Sequence, residues 1–208
     1  EEFSKKGYVK IKLQKNSLKY FNKLKKNIKI KFKNKFKKKS FEKFHESISF
    51  SEINDVRLKI IEFINKQKFI KQGVYESVQP FLDASLGPDI IIQKGINMAI
   101  QMPNDSKRPP FHRDTPHSSN HELVVWIPLV HCRKTMCMHM FDKKYNKKAI
   151  SLFKGKNKNR FEKFAEKYGD LIDVKFGEAI IFSADNFHNI PINKTKDTRW
   201  SLNIRFKN

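Results

Sequence analysis

The chain is poor in cysteine: its 208 residues include two, Cys132 and Cys137. Two thiols are too few for a framework of disulfides, and this scarcity is typical of a reducing compartment. Long apolar runs are also missing, since no stretch approaches the roughly 18 residues that a membrane-spanning helix needs. A secretory signal consists of a charged segment, then an apolar segment, then small residues, and the chain lacks this pattern. These absences together predict a cytoplasmic protein without a transmembrane segment.

Acidic residues are scarce as well, with 21 Asp and Glu against 44 Lys and Arg, which gives a net charge of +23. Residues 1–44 contain 17 Lys, three acidic residues and no Arg. One interpretation is a surface for nucleic acid, for an anionic membrane or for an anionic substrate. The other is a compositional bias that places lysine at solvated positions. We favour the bias, because proteins that read base edges rely on the planar guanidinium of Arg.

Apolar residues make up 38% of the chain, including 19 Phe, which is enough for a real core. Apolar and polar residues alternate over Gly7–Leu13, which predicts a strand. Apolar residues then recur every three or four positions from Leu18 to Phe36, which predicts an amphipathic helix. Within Ile28–Phe32, apolar residues alternate with lysine, which is a strand pattern rather than a helical one. This segment is therefore a candidate break in the helix. We expect the apolar stripe to pack against the domain's own sheet rather than against a membrane or a partner helix.

Further helices are predicted over Ser51–Gln67 and from Gly73 onward, the latter kinked or interrupted by Pro80, and Gly87-Pro88 ends the helical region. One more helix is predicted over Lys158–Tyr168. Strands rich in Ile, Val and Phe are predicted at Asp89–Gln93, Ile96–Met102, Glu122–Val130, Thr135–Asp142, Lys148–Phe153, Ile172–Phe176, Ala179–Phe182 and Arg199–Phe206.

This order of elements predicts a mostly β fold. The expected architecture is a double-stranded β-helix, a cupin-like jelly roll, backed by an N-terminal helical layer. We predict one domain over residues 1–208, with the strand and basic helical layer in 1–88 and the jelly-roll core in 89–208.

His112 and Asp114 carry the first chemical signal, because side chains two positions apart on an extended segment point the same way. By itself this pair has a high false-positive risk in a chain with seven His. His188 follows 74 positions after Asp114, behind a buried strand that Gly177 introduces. Two His and one carboxylate form the facial triad that holds non-haem Fe(II) and leaves coordination positions open.

Arg199 lies 11 positions after His188, and alternation places Ser201, Asn203 and Arg205 on the same side of its strand. That side is either the solvent-exposed face of an edge strand or, if the strand lies inside a barrel, a place to bind an anion. A guanidinium can hold a carboxylate bidentately, and the Ser201 hydroxyl can add a hydrogen bond.

Phe111–Asp114, Gly177–Phe182, His188 and the Arg199-x-Ser201 pair together resemble the Fe(II)/2-oxoglutarate-dependent dioxygenase superfamily, in its phytanoyl-CoA dioxygenase-like branch. More narrowly, a second set of segments resembles a bacterial 2-oxoglutarate–Fe(II) oxygenase group from sporadic carbohydrate-biosynthesis clusters. These segments are Ile100–Asp105, Glu122–Val130 and Lys134–Met136. The likeness covers about Leu86 to Phe206 and is much weaker before that.

The resemblance implies that His112, Asp114 and His188 are the catalytic residues and bind Fe(II). It implies that Arg199, helped by Ser201, holds the distal carboxylate of the cosubstrate 2-oxoglutarate, with dioxygen as the second cosubstrate. The implied substrate is a small polar or anionic molecule such as a sugar or nucleotide-linked sugar. Because related halogenases have a small residue at the position of Asp114, this carboxylate implies hydroxylation or a related oxidation.

The remaining His residues allow several interpretations. His117 and His121 could line the substrate mouth or form a zinc site with His112, but a polar loop beside the site is favoured. His131, Cys132, Cys137 and His139 have a vaguely metal-like spacing, which we disfavour as a zinc site because nothing requires their strands to converge. Gln101 and Thr135 could each face the barrel interior and contact cosubstrate or substrate, or have an ordinary backbone partner.

The competing function is a basic binding module for nucleic acid or an anionic membrane, carried on a catalytically silent jelly-roll scaffold. Salt-dependent retention on such polyanions would support it. Nucleic acid is thus a possible partner that we do not favour, and the oligomeric state does not follow from the sequence.

Overall fold

The computed structural model describes residues 1–107, 109–114, 122–155 and 157–208, so the predictions for His117 and His121 lie outside the described residues. The α-helices are α1 Glu2–Lys6, α2 Leu18–Lys31, α3 Lys33–Phe36, α4 Ile53–Asn65, α5 Lys68–Leu86, α6 Lys143–Lys154 and α7 Lys158–Tyr168. The strands are β1 Tyr8–Lys12, β2 Ile91–Ile92, β3 Asn97–Gln101, β4 Leu123–Pro128, β5 Met138–Phe141, β6 Gly169–Ile172, β7 Glu178–Ser183, β8 His188–Asn189 and β9 Arg199–Lys207.

The strands form two antiparallel sheets. The larger has the order β1-β7-β4-β9-β2, with β3 also paired to β9, and the smaller has the order β6-β5-β8. In the pairing of β3 with β9, Gln101 lies opposite Arg199 and Ala99 lies opposite Ser201. Directly opposed residues place their side chains on the same face of a sheet, so these four share one face.

Helix is the more abundant element: 44% of the described residues are helical and 23% are in strands. The prediction of a mostly β chain is therefore not confirmed, and the fold is a mixture of helices and antiparallel sheets. The strand predicted at Lys148–Phe153 is wrong, because this segment belongs to α6, whose buried residues are Asn146 and Ala149. The strand predicted at Ile172–Phe176 is wrong beyond Ile172, where β6 ends.

The N-terminal helices follow the sequence pattern closely. The helix predicted from Leu18 breaks where the alternation intrudes, since α2 ends at Lys31 and α3 begins at Lys33. The buried stripe of Phe21, Leu24 and Ile28 lies in the same core cluster as the sheet residues, which confirms that it packs within the domain. The helix predicted after Gly73 begins earlier, at Lys68, and runs through Pro80.

Trp200 joins the helical layer to β9, the strand that carries Arg199. Its ring is fully buried, lies 4.8–5.8 Å from the rings of Phe36, Phe41 and Phe44, and its Nε1 donates a hydrogen bond to the Phe41 carbonyl at 2.9 Å. Aromatic rings dominate core energetics because each buries a large apolar area. The N-terminal layer therefore fixes the position of β9.

None of the described helices combines the length and apolar character that crossing a membrane requires.

Candidate metal centre

His112 and His188 are brought together by a direct backbone pairing. The His112 N–H donates to the His188 carbonyl at 2.9 Å, the reverse bond is 3.0 Å, and the imidazole ring centroids are 4.5 Å apart. Their neighbours Phe111 and Phe187 pack against each other at 5.3 Å within an aromatic cluster that includes Phe141 of β5. Because successive side chains of an extended segment point to opposite sides, each of these two segments directs its Phe into the aromatic cluster and its His towards the other His.

Asp114 completes the group. Its N–H donates to the Ala184 carbonyl at 2.9 Å, and its Oδ1 lies 3.5 Å from His112 Nε2. One ligand atom each from His112, Asp114 and His188 lie within 4.8 Å of one another. Asp114 Oδ2 is buried and has no hydrogen-bond partner among the described residues. The three side chains that the sequence analysis singled out therefore lie together, and a carboxylate oxygen remains for a ligand.

Both imidazoles are oriented by backbone carbonyls. His112 Nδ1 donates to the Pro110 carbonyl and His188 Nδ1 donates to the Asn186 carbonyl, each at 2.8 Å. A carbonyl can only accept, so each Nδ1 carries a proton, which leaves Nε2 as the nitrogen that can bind a metal. A hydrogen bond that fixes the tautomer in this way is typical of metal-binding His.

The local electrostatics favour the metal-binding protonation states of His188 and Asp114, but not that of His112. Burial lowers the pKa of His188 to about 4, so this imidazole is neutral at neutral pH. Burial alone would raise the pKa of Asp114, but His112, His188 and Arg205 together hold it below its usual value. The hydrogen bond with Asp114 raises the pKa of His112. A neutral His188 and an ionised Asp114 are the forms that bind metal ions.

Arg205 is a site residue that the sequence reasoning did not single out. Its Nη2 lies 3.5 Å from Asp114 Oδ1, and its Nη1 lies 3.0 Å from Glu122 Oε1. Alternation had placed Arg205 on the face of Arg199, but the contact with Asp114 depends on pairing between distant segments. The triad, Ser201 and Arg205 line a cavity of about 270 Å³, together with Trp126 and Met138.

Arg199 is 3% exposed, yet its Nε and Nη1 have no hydrogen-bond partner in the part of the chain that the structure describes. The buried Ser201 Oγ also has no hydrogen-bond partner among the described residues. Burial lowers the pKa of Arg199 to about 10, so the guanidinium stays charged at neutral pH. Asp105 interacts electrostatically with this charge but leaves the two donors without a hydrogen-bond partner, and unsatisfied buried donors are costly, which indicates that an anion belongs here.

A second cavity, of about 580 Å³, contains Arg199 and Gln101 and adjoins the triad cavity. The two cavities share wall residues, which are Asn97, Met98, Ala99, Pro109 and Ile190. A ligand in contact with Arg199 can therefore extend towards the triad along the face formed by β3 and β9.

The other candidates from the sequence divide between the cavity and the scaffold. Gln101 lines the Arg199 cavity and donates through Nε2 to the Pro191 carbonyl at 3.0 Å. Thr135 has an ordinary backbone partner, because its Oγ1 accepts from the Lys194 N–H at 2.8 Å. Cys137 contacts the Asp173 carboxylate through Sγ at 3.1 Å. His139 packs against the ring of Phe111 at 5.3 Å.

No protein-family model matches the chain, and no curated protein matches it significantly. Solved structures do resemble it. A non-haem monooxygenase, the ThoJ–Ni complex, matches with a TM-score of 0.60 and 12% identity over 99% of this chain and 75% of that one. EctD from S. alaskensis with bound Fe matches with a TM-score of 0.62 and 11% identity, over 99% and 74% of the two chains.

SnoK, a non-haem, α-ketoglutarate-dependent carbocyclase from nogalamycin biosynthesis, matches with a TM-score of 0.55 and 11% identity. The match covers 99% of this chain and 81% of SnoK. Identities this low establish a common fold rather than a common reaction. The chain therefore has the fold found in these non-haem and iron-binding proteins.

Proposed function

We propose that this protein is an Fe(II)- and 2-oxoglutarate-dependent oxygenase. The observation that carries the proposal is the convergence of His112, Asp114 and His188 in a cavity that adjoins the buried guanidinium of Arg199. Two imidazole nitrogens and one carboxylate are the donor set typical of non-haem Fe(II) with open coordination positions. The fold shared with non-haem proteins supports the same assignment.

Arg199 and Ser201 are the proposed binding groups for 2-oxoglutarate. The guanidinium would hold the distal carboxylate bidentately, and the Ser201 hydroxyl would donate a further hydrogen bond. Such a ligand satisfies the buried Nε and Nη1 atoms that have no partner within the described ranges. The other end of 2-oxoglutarate would then face the triad, because the two cavities share a wall.

When bound, Fe(II) supplies dioxygen activation coupled to the decarboxylation of 2-oxoglutarate to succinate. The chain's own residues position the reactants. The carbonyls of Pro110 and Asn186 fix the two imidazoles, and Arg205 holds Asp114. His188 is 4% exposed, so its own ring is shielded from solvent, whereas the His112 side chain is 35% exposed. Because Asp114 retains a carboxylate as a ligand, the proposed outcome is hydroxylation or a related oxidation.

The finer assignments belong to the same proposal. They are membership of the phytanoyl-CoA dioxygenase-like branch, a place near the sporadic carbohydrate-cluster group, and a sugar or nucleotide-linked sugar as substrate. Two antiparallel sheets with a polar inner face along β3 and β9 support a single jelly-roll domain over residues 1–208. The proposed cytoplasmic location is supported by the low cysteine content.

The proposal is tested by measuring succinate formed from 2-oxoglutarate in air, with added Fe(II) and ascorbate. The wild-type protein should form succinate only with Fe(II) present, and His112→Ala should abolish it. Equal activity in the variant, or no metal binding by the wild type, would count against an oxygenase.

A further inference from the structure

The cavity around Arg199 is larger than a short dicarboxylic acid needs. Its volume of about 580 Å³ lies within the ~300–1,000 Å³ range of small-molecule sites. Beyond Arg199 it extends to Arg57 and Asn54 of α4 and to Phe50, which precedes that helix. If 2-oxoglutarate occupies the part beside Arg199, the part beside α4 remains for another molecule.

Arg57 is held in place by neutral groups. Its Nη1 donates to the Met98 carbonyl at 3.2 Å, and its Nη2 donates to Asn54 Oδ1 at 2.9 Å. These bonds use some of its five N–H donors and leave the others available. No carboxylate forms an ion pair with Arg57 in the described ranges. The side chain is thus oriented by the protein while its charge is not neutralised.

The other charged residues that line this cavity also favour an anionic ligand. Lys107 and Arg199 also line it, and the acidic residue among its described lining is Asp105, which accepts a hydrogen bond from the Lys107 backbone. Met98, whose carbonyl holds Arg57, also lines the triad cavity. An anion bound by Arg57 would therefore lie beside the wall that this cavity shares with the triad cavity.

We propose that Arg57 is the substrate anchor, and that the substrate carries a carboxylate or phosphate group which its guanidinium binds. This inference rests on the proposed function, because it assigns Arg199 to 2-oxoglutarate and Arg57 to the substrate. A planar guanidinium matches both anions bidentately. Phe50, which is 51% exposed, lines the same cavity and offers an apolar face to the body of the substrate.

The test uses three probes that share one sugar ring: glucose 6-phosphate, glucuronate and glucose. Binding of each is measured by calorimetry to the full chain loaded with Ni(II) and saturating 2-oxoglutarate, so that Arg199 is already occupied. At least one anionic probe should bind about 10-fold more tightly than glucose, a difference of about 1.4 kcal/mol. The probe that binds more tightly identifies the anion as phosphate or carboxylate.

Variants then locate the effect. Arg57→Gln keeps a hydrogen-bond donor for Met98 and should reduce the preference for the anion about 10-fold. Arg57→Lys keeps the charge but not the planar guanidinium, so it should keep only part of the preference. The matched control is Lys59→Gln, which removes the same charge from an exposed position of α4 and should change nothing. This control separates specific binding from the diffuse attraction of a very basic surface.

Two results would overturn the inference: wild-type protein that does not prefer either anion to glucose, or equal losses in Arg57→Gln and Lys59→Gln. Binding of 2-oxoglutarate is measured first on the same samples. Its absence would count against the proposed function, and the probe titrations, repeated without 2-oxoglutarate in an Arg199→Met background, would still decide the role of Arg57.

Discussion

The triad and Arg199 lie in adjoining cavities, yet the protein itself satisfies the two sites to different degrees. At the triad, both Nδ1 atoms have carbonyl partners at 2.8 Å and Asp114 has Arg205 at 3.5 Å, although Asp114 Oδ2 lacks a hydrogen-bond partner among the described residues. At Arg199, the buried Nε and Nη1 lack a partner throughout the described residues. The first site is already ordered by its surroundings, whereas the second depends on a ligand for its compensation.

This difference indicates that a metal ion at the triad and an anion at Arg199 should affect the protein differently. A metal ion enters a site whose donors are preorganised, so its binding needs little rearrangement. An anion at Arg199 removes the cost of a buried charge, so its binding should stabilise the fold as well as complete the site. Each prediction below alters one side of this comparison.

Removing a triad ligand should have the largest effect. His188→Ala should lower metal affinity by more than the roughly 10–100-fold that a change in a supporting residue costs, and succinate formation should be lost. Metal binding can be measured by competition with a chromogenic chelator. The control is His131→Ala at an exposed His, and similar losses in both variants would contradict the ligand assignment.

Arg199→Met should separate the two sites. The variant should lose about 100-fold in 2-oxoglutarate affinity, since truncating one partner of a buried charged pair costs ~2–5 kcal/mol, while its metal affinity stays unchanged. Without ligand it should be more stable than the wild type by about 1–3 kcal/mol in urea unfolding, because a buried charge with two unsatisfied donors is gone.

Arg160→Met, which alters an exposed position of α7, is the control for the Arg199 variant. A destabilised Arg199→Met protein that still binds 2-oxoglutarate would show that the guanidinium has a structural role instead.

Arg205→Gln should affect the triad side through Asp114. Loss of the charge that orients this carboxylate should weaken metal binding about 10–100-fold and leave 2-oxoglutarate binding to the metal-free protein unchanged. Arg205→Lys should restore part of the metal affinity, as measured by the same chelator competition. Unchanged affinity in Arg205→Gln would mean that the backbone hydrogen bond from the Asp114 N–H to the Ala184 carbonyl is enough to position the carboxylate.

Ser201→Ala alters a residue of the triad cavity and should have the smallest effect, which should fall on 2-oxoglutarate binding alone. Losing one hydrogen bond of about 1 kcal/mol should weaken 2-oxoglutarate binding roughly fivefold, with metal affinity unchanged. Calorimetric titration of 2-oxoglutarate into the metal-loaded variant measures it. A loss as large as that of Arg199→Met would show that the hydroxyl is a principal binding group rather than an auxiliary one.

Much of the candidate metal site could be predicted from the sequence, because its signals are local. His112 and Asp114 are two positions apart, and His188 and Arg199 each follow recognisable patterns. The contact of Arg205 with Asp114 could not be predicted, since it requires the register that pairs β9 with β4. The same holds for Arg57, whose approach to β3 depends on how α4 packs there.

The fold was less predictable where short apolar runs are ambiguous. Lys148–Phe153 contains Ile, Leu and Phe and resembles a strand, but the helical spacing of Tyr145, Ala149 and Leu152 extends further and forms α6. Periodicity succeeded for α7, whose observed limits, Lys158–Tyr168, equal those predicted. In this part of the chain, a helical spacing that extends over the whole element was therefore the better guide.

The coupling between metal and 2-oxoglutarate tests the central claim most directly. Calorimetry should measure the affinity of 2-oxoglutarate with and without Ni(II), and the affinity of Ni(II) with and without 2-oxoglutarate. If the two ligands meet in the adjoining cavities, each should tighten the other by the same factor, about 10-fold or more, because linkage is reciprocal. Affinities that do not depend on the other ligand would contradict a shared metal and cosubstrate site.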